Sequence, residues 1–179
     1  GLDDAQVEVL SEALQQIVSN GNTVVVVEHN DAFIKKADYL IEMGPVAGRL
    51  GGEVIYQGTL AGVTKAKNTQ TYKLLYEKGN EVAKVEYKKG AAFGITGAFA
   101  NNLKQIDVTF NSGQLIAVTG VSGSGKSSLI KEVLYQSWVQ QRPVYCSSVF
   151  GLEQFDEVLL VDQQAISQNR LSTLASYTG

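Results

Sequence analysis

Hydrophobic residues follow two patterns in the first part of the chain, one typical of helices and one typical of buried strands. The first pattern is helical and gives one apolar stripe, made of Val7, Leu10, Leu14 and Ile17. A glycine at position 21 is suited to ending that helix. Residues 23–27 (TVVVV) are too uniformly apolar for a half-exposed strand, so they predict a central parallel strand that is covered on both faces. A short helix at 31–37 and strands at 39–43 and 53–57 complete an α/β pattern.

The hydrophobic pattern weakens after Gly58. From there to about residue 90 the chain is polar and rich in lysine, with weak helical character near 72–76. Composition shifts of this kind are typical of boundaries between folded units. We therefore expect segment 63–92 to be a linker or a peripheral segment, with one unit at 1–62 and a second unit at 93–179.

The pattern resumes in the second unit. Two strands are predicted at 106–110 and 114–119, joined by the tight-turn sequence NSG at 111–113. A helix from 126 to about 138 follows, and residues 158–161 (VLLV) predict a last strand. The residues at helical spacing in the predicted helix are Leu129, Ile130, Val133 and Leu134.

The stretch GVSGSGKS at 120–127 matches the phosphate-binding pattern G-x-x-x-x-G-K-[ST]. It lies between a predicted strand and a predicted helix, which is the structural context that this pattern requires. Its three glycines allow a tight turn and a close approach of the backbone to a polyphosphate. The loop amides and the helix N-terminus then favour an anion. The sequence therefore predicts a P-loop NTPase that binds a nucleoside triphosphate together with Mg²⁺.

Two side chains of this loop have predicted chemical roles. Lys126 would reach the β- and γ-phosphate oxygens, and Ser127 would ligate magnesium. The residues expected to contact the nucleotide are Gly120, Val121, Ser122, Gly123, Ser124, Gly125, Lys126, Ser127 and Ser128.

Composition narrows the range of functions. The 179 residues are 44% hydrophobic and 18% charged, with a net charge of −3, and the pI of about 5.2 is not that of a basic nucleic-acid-binding domain. Any contact with DNA is therefore expected elsewhere or on a local patch. The single cysteine, Cys146, excludes an internal disulfide and a CxxC zinc site, and we expect a small buried or half-buried thiol. Neither a transmembrane stretch nor a signal peptide is recognisable, so a cytoplasmic location is expected.

The only histidine, His29, directly follows the predicted strand at 23–27. Ligand chemistry in α/β folds lies at the carboxyl ends of parallel strands. We therefore expect His29 to hydrogen-bond the γ-phosphate and to help position the attacking water. Glu28 precedes it and is interpreted as a surface or turn carboxylate rather than as the general base.

Several motifs together resemble the ABC-type ATPases, and within them the UvrA family, the damage-sensing ATPases of the excinuclease in bacterial nucleotide excision repair. The segments that carry this resemblance are GNTVVVVEHN at 21–30, AD at 37–38, GP at 44–45, GGEV at 51–54, GT at 58–59, NNLKQIDV at 101–108, VTGVSGSGKSSLI at 118–130, DQ at 162–163 and YTG at 177–179. Transporter ATPases would share the phosphate loop, the histidine and the glutamine. They would not be expected to share the Gly-Pro…Gly-Gly run or the Asn-Asn-Leu-Lys segment.

The resemblance implies an ABC-ATPase-like fold, with a mostly parallel sheet, flanking helices and an antiparallel β portion. Family members carry two ATPase units in tandem. The chain then joins the end of a first unit (1–62), with its switch histidine, to the start of a second unit (93–179), with its phosphate and glutamine loops. On this view His29 and Lys126 serve different ATP sites, and Gln163 contacts magnesium and water.

The resemblance also implies partners. These are DNA, bound through other parts of the parent protein, the helicase subunit of the excinuclease, and a second copy of the parent in a homodimer. No membrane partner is implied. The signature motif, the strand with the catalytic carboxylate and the zinc modules would lie outside this span, so whether the fragment itself is an enzyme stays open.

Two departures from the family pattern stand out. Phe99-Ala100 replaces a charged pair before the two asparagines, and Phe99 is either an adenine-stacking aromatic or an ordinary core or surface residue. Residues 164–175 replace a proline-containing stretch, which suggests a divergent paralogue. Two alternative functions remain open, the ATP-binding subunit of an ABC transporter and a non-hydrolysing nucleotide-binding module.

Overall fold

The computed structural model describes residues 4–77 and 90–161. Its helices and strands are, in chain order, α1 (Asp4–Ser19), β1 (Val24–Val27), α2 (Asp31–Lys36), β2 (Tyr39–Gly44), β3 (Glu53–Thr59), α3 (Gln70–Tyr72), β4 (Ala92–Ala98), β5 (Ile106–Asn111), β6 (Leu115–Gly120), α4 (Gln136–Gln140) and β7 (Ser148–Phe150). Single π-helical segments extend α3 (Lys73–Glu77) and precede α4 (Ser128–Tyr135), and 3-10 turns lie at Gly48–Leu50, Leu60–Lys65 and Leu152–Gln154.

A four-stranded sheet contains strands from both halves of the sequence. Its order is β1-β6-β2-β3, with β6 parallel to both β1 and β2, and β3 antiparallel to β2. Val24 is level with Leu115 on one side of β6, and Tyr39 is level with Ile116 on the other. The two halves therefore pack together, and an α/β fold with a mixed sheet confirms the expected fold class.

Strand β1 differs from its prediction. It pairs with β6 on one side, and in the described ranges no strand pairs with its other side. Val27 is correspondingly 37% exposed. Four consecutive valines predict a strand covered on both faces. Such a run indicates apolar surroundings, but it does not indicate how many strands are hydrogen-bonded to it. A central position for β1 is therefore wrong within the described residues.

A second, antiparallel sheet has the order β5-β4-β7. Phe93 of β4 and Phe110 of β5 stack across it with ring centroids 5.1 Å apart. The tight turn at 111–113 therefore does not join a hairpin, because β5 and β6 belong to different sheets. A turn sequence fixes the local reversal of the chain but not which strand edges then pair.

Apolar side chains cover the two faces of the mixed sheet separately. On one face the main core contains Ile41, Ile116 and Val118 with Leu129, Ile130, Val133 and Leu134 of the segment after the phosphate loop, and Cys146 is buried there as expected. The prediction of a helix with those four residues inside is confirmed. On the other face a smaller core contains Ile34, Ala37, Leu40, Leu60, Val63, Leu75 and Ala117.

Two apolar segments remain largely uncovered among the described residues. Val7 of α1 is buried, but Leu10 and Ile17 of the predicted stripe are 42% and 45% exposed. Residues 158–161 form no strand, and Leu159 is 72% exposed. The prediction of a last strand at 158–161 is therefore wrong. An apolar sequence forms a strand only where the edge of another strand is available for pairing.

The described part of segment 63–92 packs against the sheet. Leu75 is fully buried in the smaller core. Leu75→Ala should therefore lower the free energy of unfolding by about 2–5 kcal/mol, as for other buried leucines. Urea unfolding followed by circular dichroism measures it. Leu50→Ala, at a position that is 75% exposed, is the matched control and should change stability by about 0.5 kcal/mol or less. Equal effects of the two substitutions would contradict the packing.

Candidate nucleotide site

The phosphate loop connects β6 to the helical segment that precedes α4. Lys126 folds back over the loop, where its Nζ donates to the carbonyl oxygens of Gly120 and Val121 at 2.8 Å each. Burial lowers the pKa of Lys126 because it removes water from the ammonium group. This ammonium has only neutral acceptors in those two bonds, so an anion in the loop would be a stronger partner.

Two other segments brace the loop from outside. The Gly48 N–H donates to the Gly123 carbonyl at 2.9 Å, and the Gly52 N–H donates to the Ser124 carbonyl at 3.1 Å. The Asn102 side-chain amide donates to the Gly48 and Gly123 carbonyls at 2.9 and 3.1 Å. The segments GGEV and NNLK of the sequence thus meet at the loop. Asn102 is not among the predicted site residues, although it lies within a segment that carries the family resemblance.

A cavity of about 910 Å³ lies at the carboxyl ends of β1, β6 and β2. Its wall includes phosphate-loop residues 120–123 and 125–128 together with Val27, Glu28 and His29. His29 and Lys126 therefore line one cavity of this chain, whereas the resemblance predicts that they serve different ATP sites in the parent protein. The reason for the shared cavity is the strand order, since β1 and β6 are parallel neighbours whose carboxyl ends meet at the same edge.

His29 is held mainly through its neighbour. Its side chain is 89% exposed, and its ring Nδ1 lies 3.8 Å from Glu28 Oε2. The same carboxylate oxygen accepts the His29 backbone N–H at 3.1 Å. The imidazole is thus exposed on the cavity wall, and Glu28 lies on the same wall beside it.

The other residues predicted for the nucleotide site differ in their exposure and in their hydrogen bonds. Ser124 is fully buried, and its Oγ has no hydrogen-bond partner among the described residues. Ser127 is exposed and lies on the cavity wall. Ser128 Oγ accepts from the Asn101 side-chain amide at 2.9 Å, which limits its freedom. Gln163 lies outside the described residues.

Phe99 is 51% exposed and makes an edge-on contact with Tyr145, with ring centroids 6.2 Å apart. It does not line the 910 Å³ cavity. Its interpretation as an ordinary surface aromatic therefore fits the structure, and adenine stacking remains a hypothesis.

The residues present fit a triphosphate with a divalent cation. The cavity wall carries one ammonium at Lys126, and Ser127 beside it offers a hydroxyl oxygen of the kind that suits a hard cation. The described ranges contain no group of three or more His, Cys, Asp or Glu side chains that could hold a metal. Within them, no helix is long and apolar enough to cross a membrane.

One buried acidic residue was missed at the sequence level. Glu42 of β2 is 1% exposed and lines the cavity. Its carboxylate accepts the backbone N–H groups of Gln70 and Thr71 at 2.8 and 3.0 Å. A signal for it existed, because a lone acidic residue inside the apolar strand sequence YLIEMG is unusual.

Comparison with known proteins gives consistent matches. A family model described as ABC transporter matches residues 103–172. The chain is 39% identical to UvrABC system protein A of Staphylococcus aureus (strain N315) and 38% identical to that of Staphylococcus epidermidis (strain ATCC 12228). Both alignments cover the whole chain and 20% of the relative, so the chain spans about a fifth of the length of these relatives.

A solved structure is also similar. The crystal structure of UvrA2 from Deinococcus radiodurans is 35% identical, with 79% of this chain and 17% of that chain covered and a TM-score of 0.41.

Proposed function

Because the chain belongs to the UvrA family of ABC-type ATPases, we propose that it is an ATP-binding part of a DNA-repair ATPase. The observation that carries the proposal is the braced phosphate loop, with Lys126 and His29 on the wall of one cavity. ATP with Mg²⁺ is the proposed ligand. The parent protein would couple ATP binding and hydrolysis to the recognition of DNA damage in nucleotide excision repair.

The loop and two residues outside it have distinct roles in this proposal. Lys126 exchanges its two carbonyl contacts for β- and γ-phosphate oxygens, and the loop amides cradle the phosphates. The Ser127 hydroxyl holds Mg²⁺, with Gln163 as a further ligand. Bound Mg²⁺ supplies positive charge that neutralises the phosphate oxygens. His29 donates a hydrogen bond to the γ-phosphate and helps to position water.

The organisation of the chain is part of the same proposal. Residues 1–62 correspond to the end of a first ATPase unit and 93–179 to the start of a second, with 63–92 between them. Strands of the two parts share one sheet, and His29 of the first part lines the same cavity as the phosphate loop of the second. The proposed partners of the parent are DNA, the helicase subunit of the excinuclease and a second copy of itself, in the cytoplasm.

Calorimetric titration of the chain with ATP, ADP and inorganic triphosphate tests this function. We expect ATP binding with a Kd on the order of 10⁻⁴ M, and negligible release of phosphate over hours in a parallel hydrolysis assay. Hydrolysis should be negligible because the carboxylate strand and signature motif of the family are expected outside this span. Absence of binding by all three ligands would sink the proposal, and rapid turnover would contradict its second part.

A second candidate is the ATP-binding subunit of a transporter, favoured by the family model that matches residues 103–172. It predicts the same nucleotide binding but a membrane-protein partner. Paired CxxC sequences after the end of this chain would favour the repair protein, whereas a prompt serine-glycine signature would favour transport. A non-hydrolysing binding module would bind ATP and ADP without turnover even in the full-length parent.

A further inference from the structure

Three polar side chains lie at the same level of three adjacent strands. Glu42 of β2 is the register partner of Thr119 in β6. On the other side of β6, the Glu28 N–H donates to the Val118 carbonyl at 3.1 Å, which continues the parallel register of β1 by one residue and brings Glu28 level with Thr119. All three residues line the nucleotide cavity. We call this set, Glu28, Thr119 and Glu42, the acidic row.

Glu42 of the acidic row has no ion-pair partner among the described residues, whereas Glu28 lies 3.8 Å from the ring Nδ1 of His29. Glu42 is 1% exposed, and its two hydrogen bonds from Gln70 and Thr71 come from neutral backbone amides. The ion pairs identified within 4–77 and 90–161 do not include it. Buried carboxylates in proteins are normally paired with a cation or coordinate a metal. Glu42 therefore lies where a cation would be strongly favoured.

Thr119 provides an independent observation at the same place. Its side chain is 2% exposed and lies on the cavity wall, and its Oγ1 has no hydrogen-bond partner among the described residues. A buried hydroxyl without a hydrogen-bond partner destabilises the folded chain. A ligand that accepts an oxygen lone pair from Thr119 would remove this cost.

We propose that the acidic row binds a hard divalent cation such as Mg²⁺, at a site distinct from the nucleotide-bound Mg²⁺ of Ser127. Carboxylate and hydroxyl oxygens are the ligands that such a cation prefers, and water completes its shell. Neighbouring strands lie about 4.8 Å apart, so the outer Cα atoms are about 10 Å apart, an interval that two glutamate side chains can bridge through one hydrated ion. Glu28 would exchange its contact with the His29 N–H for the cation.

The site needs only the folded chain and not a bound nucleotide. Its position beside the phosphate loop would nevertheless give the triphosphate a second positive charge. Metal binding in the absence of ATP is therefore a separate prediction, which the proposed ATP site does not make.

Electron paramagnetic resonance of Mn²⁺ added to the nucleotide-free chain tests the site. We expect one bound Mn²⁺ per chain, and Mg²⁺ should displace it. Glu42→Gln and Thr119→Val should each weaken Mn²⁺ binding about tenfold or more, and Glu28→Gln should weaken it as well. Circular dichroism and thermal unfolding confirm that each variant is folded. Glu28 follows the last residue of β1, and its side chain is partly exposed. Glu28→Gln therefore still tests the site if a variant at one of the buried positions fails to fold.

The controls separate this site from the ATP site. Glu53→Gln removes a carboxylate from β3, outside the cavity, and should leave Mn²⁺ affinity unchanged. Lys126→Ala should weaken ATP binding and retain the nucleotide-free Mn²⁺ site. Undetectable Mn²⁺ binding, or equal Mn²⁺ affinity in Glu28→Gln, Glu42→Gln and the unsubstituted chain, overturns the acidic-row proposal even where ATP binds normally. Loss of ATP binding with retained Mn²⁺ binding counts against the proposed function alone.

Discussion

Gly120→Ala should destabilise the chain by about 3 kcal/mol and eliminate nucleotide binding. Gly120 has φ +128°, and a Cβ at this position would lie 2.1 Å from the Met43 carbonyl oxygen. The backbone contact cannot be relieved by rotating a side chain. Both the start of the phosphate loop and its junction with β2 must therefore move. Chemical unfolding and calorimetry with ATP measure the two effects.

Gly113→Ala is the matched control for this substitution. Gly113 also has a positive φ, +73°, but nothing lies within 4 Å of the place that an added Cβ would take. Only the backbone strain remains, and we expect a loss of about 1 kcal/mol with unchanged ATP affinity. An equal loss of stability in the two variants would contradict the close contact between the Met43 carbonyl oxygen and the start of the loop.

The phosphate loop was predictable because its determinants are local. A strand, a glycine-rich turn with lysine and serine, and a helix follow one another in sequence, and the structure has β6, the loop and a helical segment in that order. The burial of Leu129 and Val133 was also predictable, because the helical spacing of apolar residues indicates which side of the helix packs against the core. These features need no knowledge of distant parts of the chain.

Strand order was not predictable in the same way. The sequence separates Val27 from Val118 by 91 positions, and nothing in either segment states that they pair. The position of His29 beside the phosphate loop depends on that pairing, and so does the alignment of Glu28 with Thr119. A sequence pattern shows which residues are apolar and where turns occur. Which strands pair with each other depends on all the strand edges that are available in the folded chain.

Lys126→Ala should weaken ATP binding by about 10- to 100-fold, because a charge-assisted hydrogen bond contributes about 1.5–3 kcal/mol. The fold should persist, since the hydrogen bonds of the ammonium to other described residues are those to the Gly120 and Val121 carbonyls at the loop. Calorimetry with ATP and with inorganic triphosphate measures the change. Both ligands should lose affinity equally, because the lysine contacts phosphate and not the base.

The pKa of Lys126 gives this prediction a pH dependence. Burial lowers the pKa in the free chain, and a bound triphosphate should raise it because the anion favours the charged form. ATP affinity should therefore fall as the pH rises through the lowered pKa, and this fall should be absent in Lys126→Ala. Lys104→Ala is the matched control, because Lys104 does not line the cavity and its removal should leave both affinity and pH profile unchanged. An alkaline decrease that persists in Lys126→Ala would assign the titration to another group and remove Lys126 from the phosphate contact.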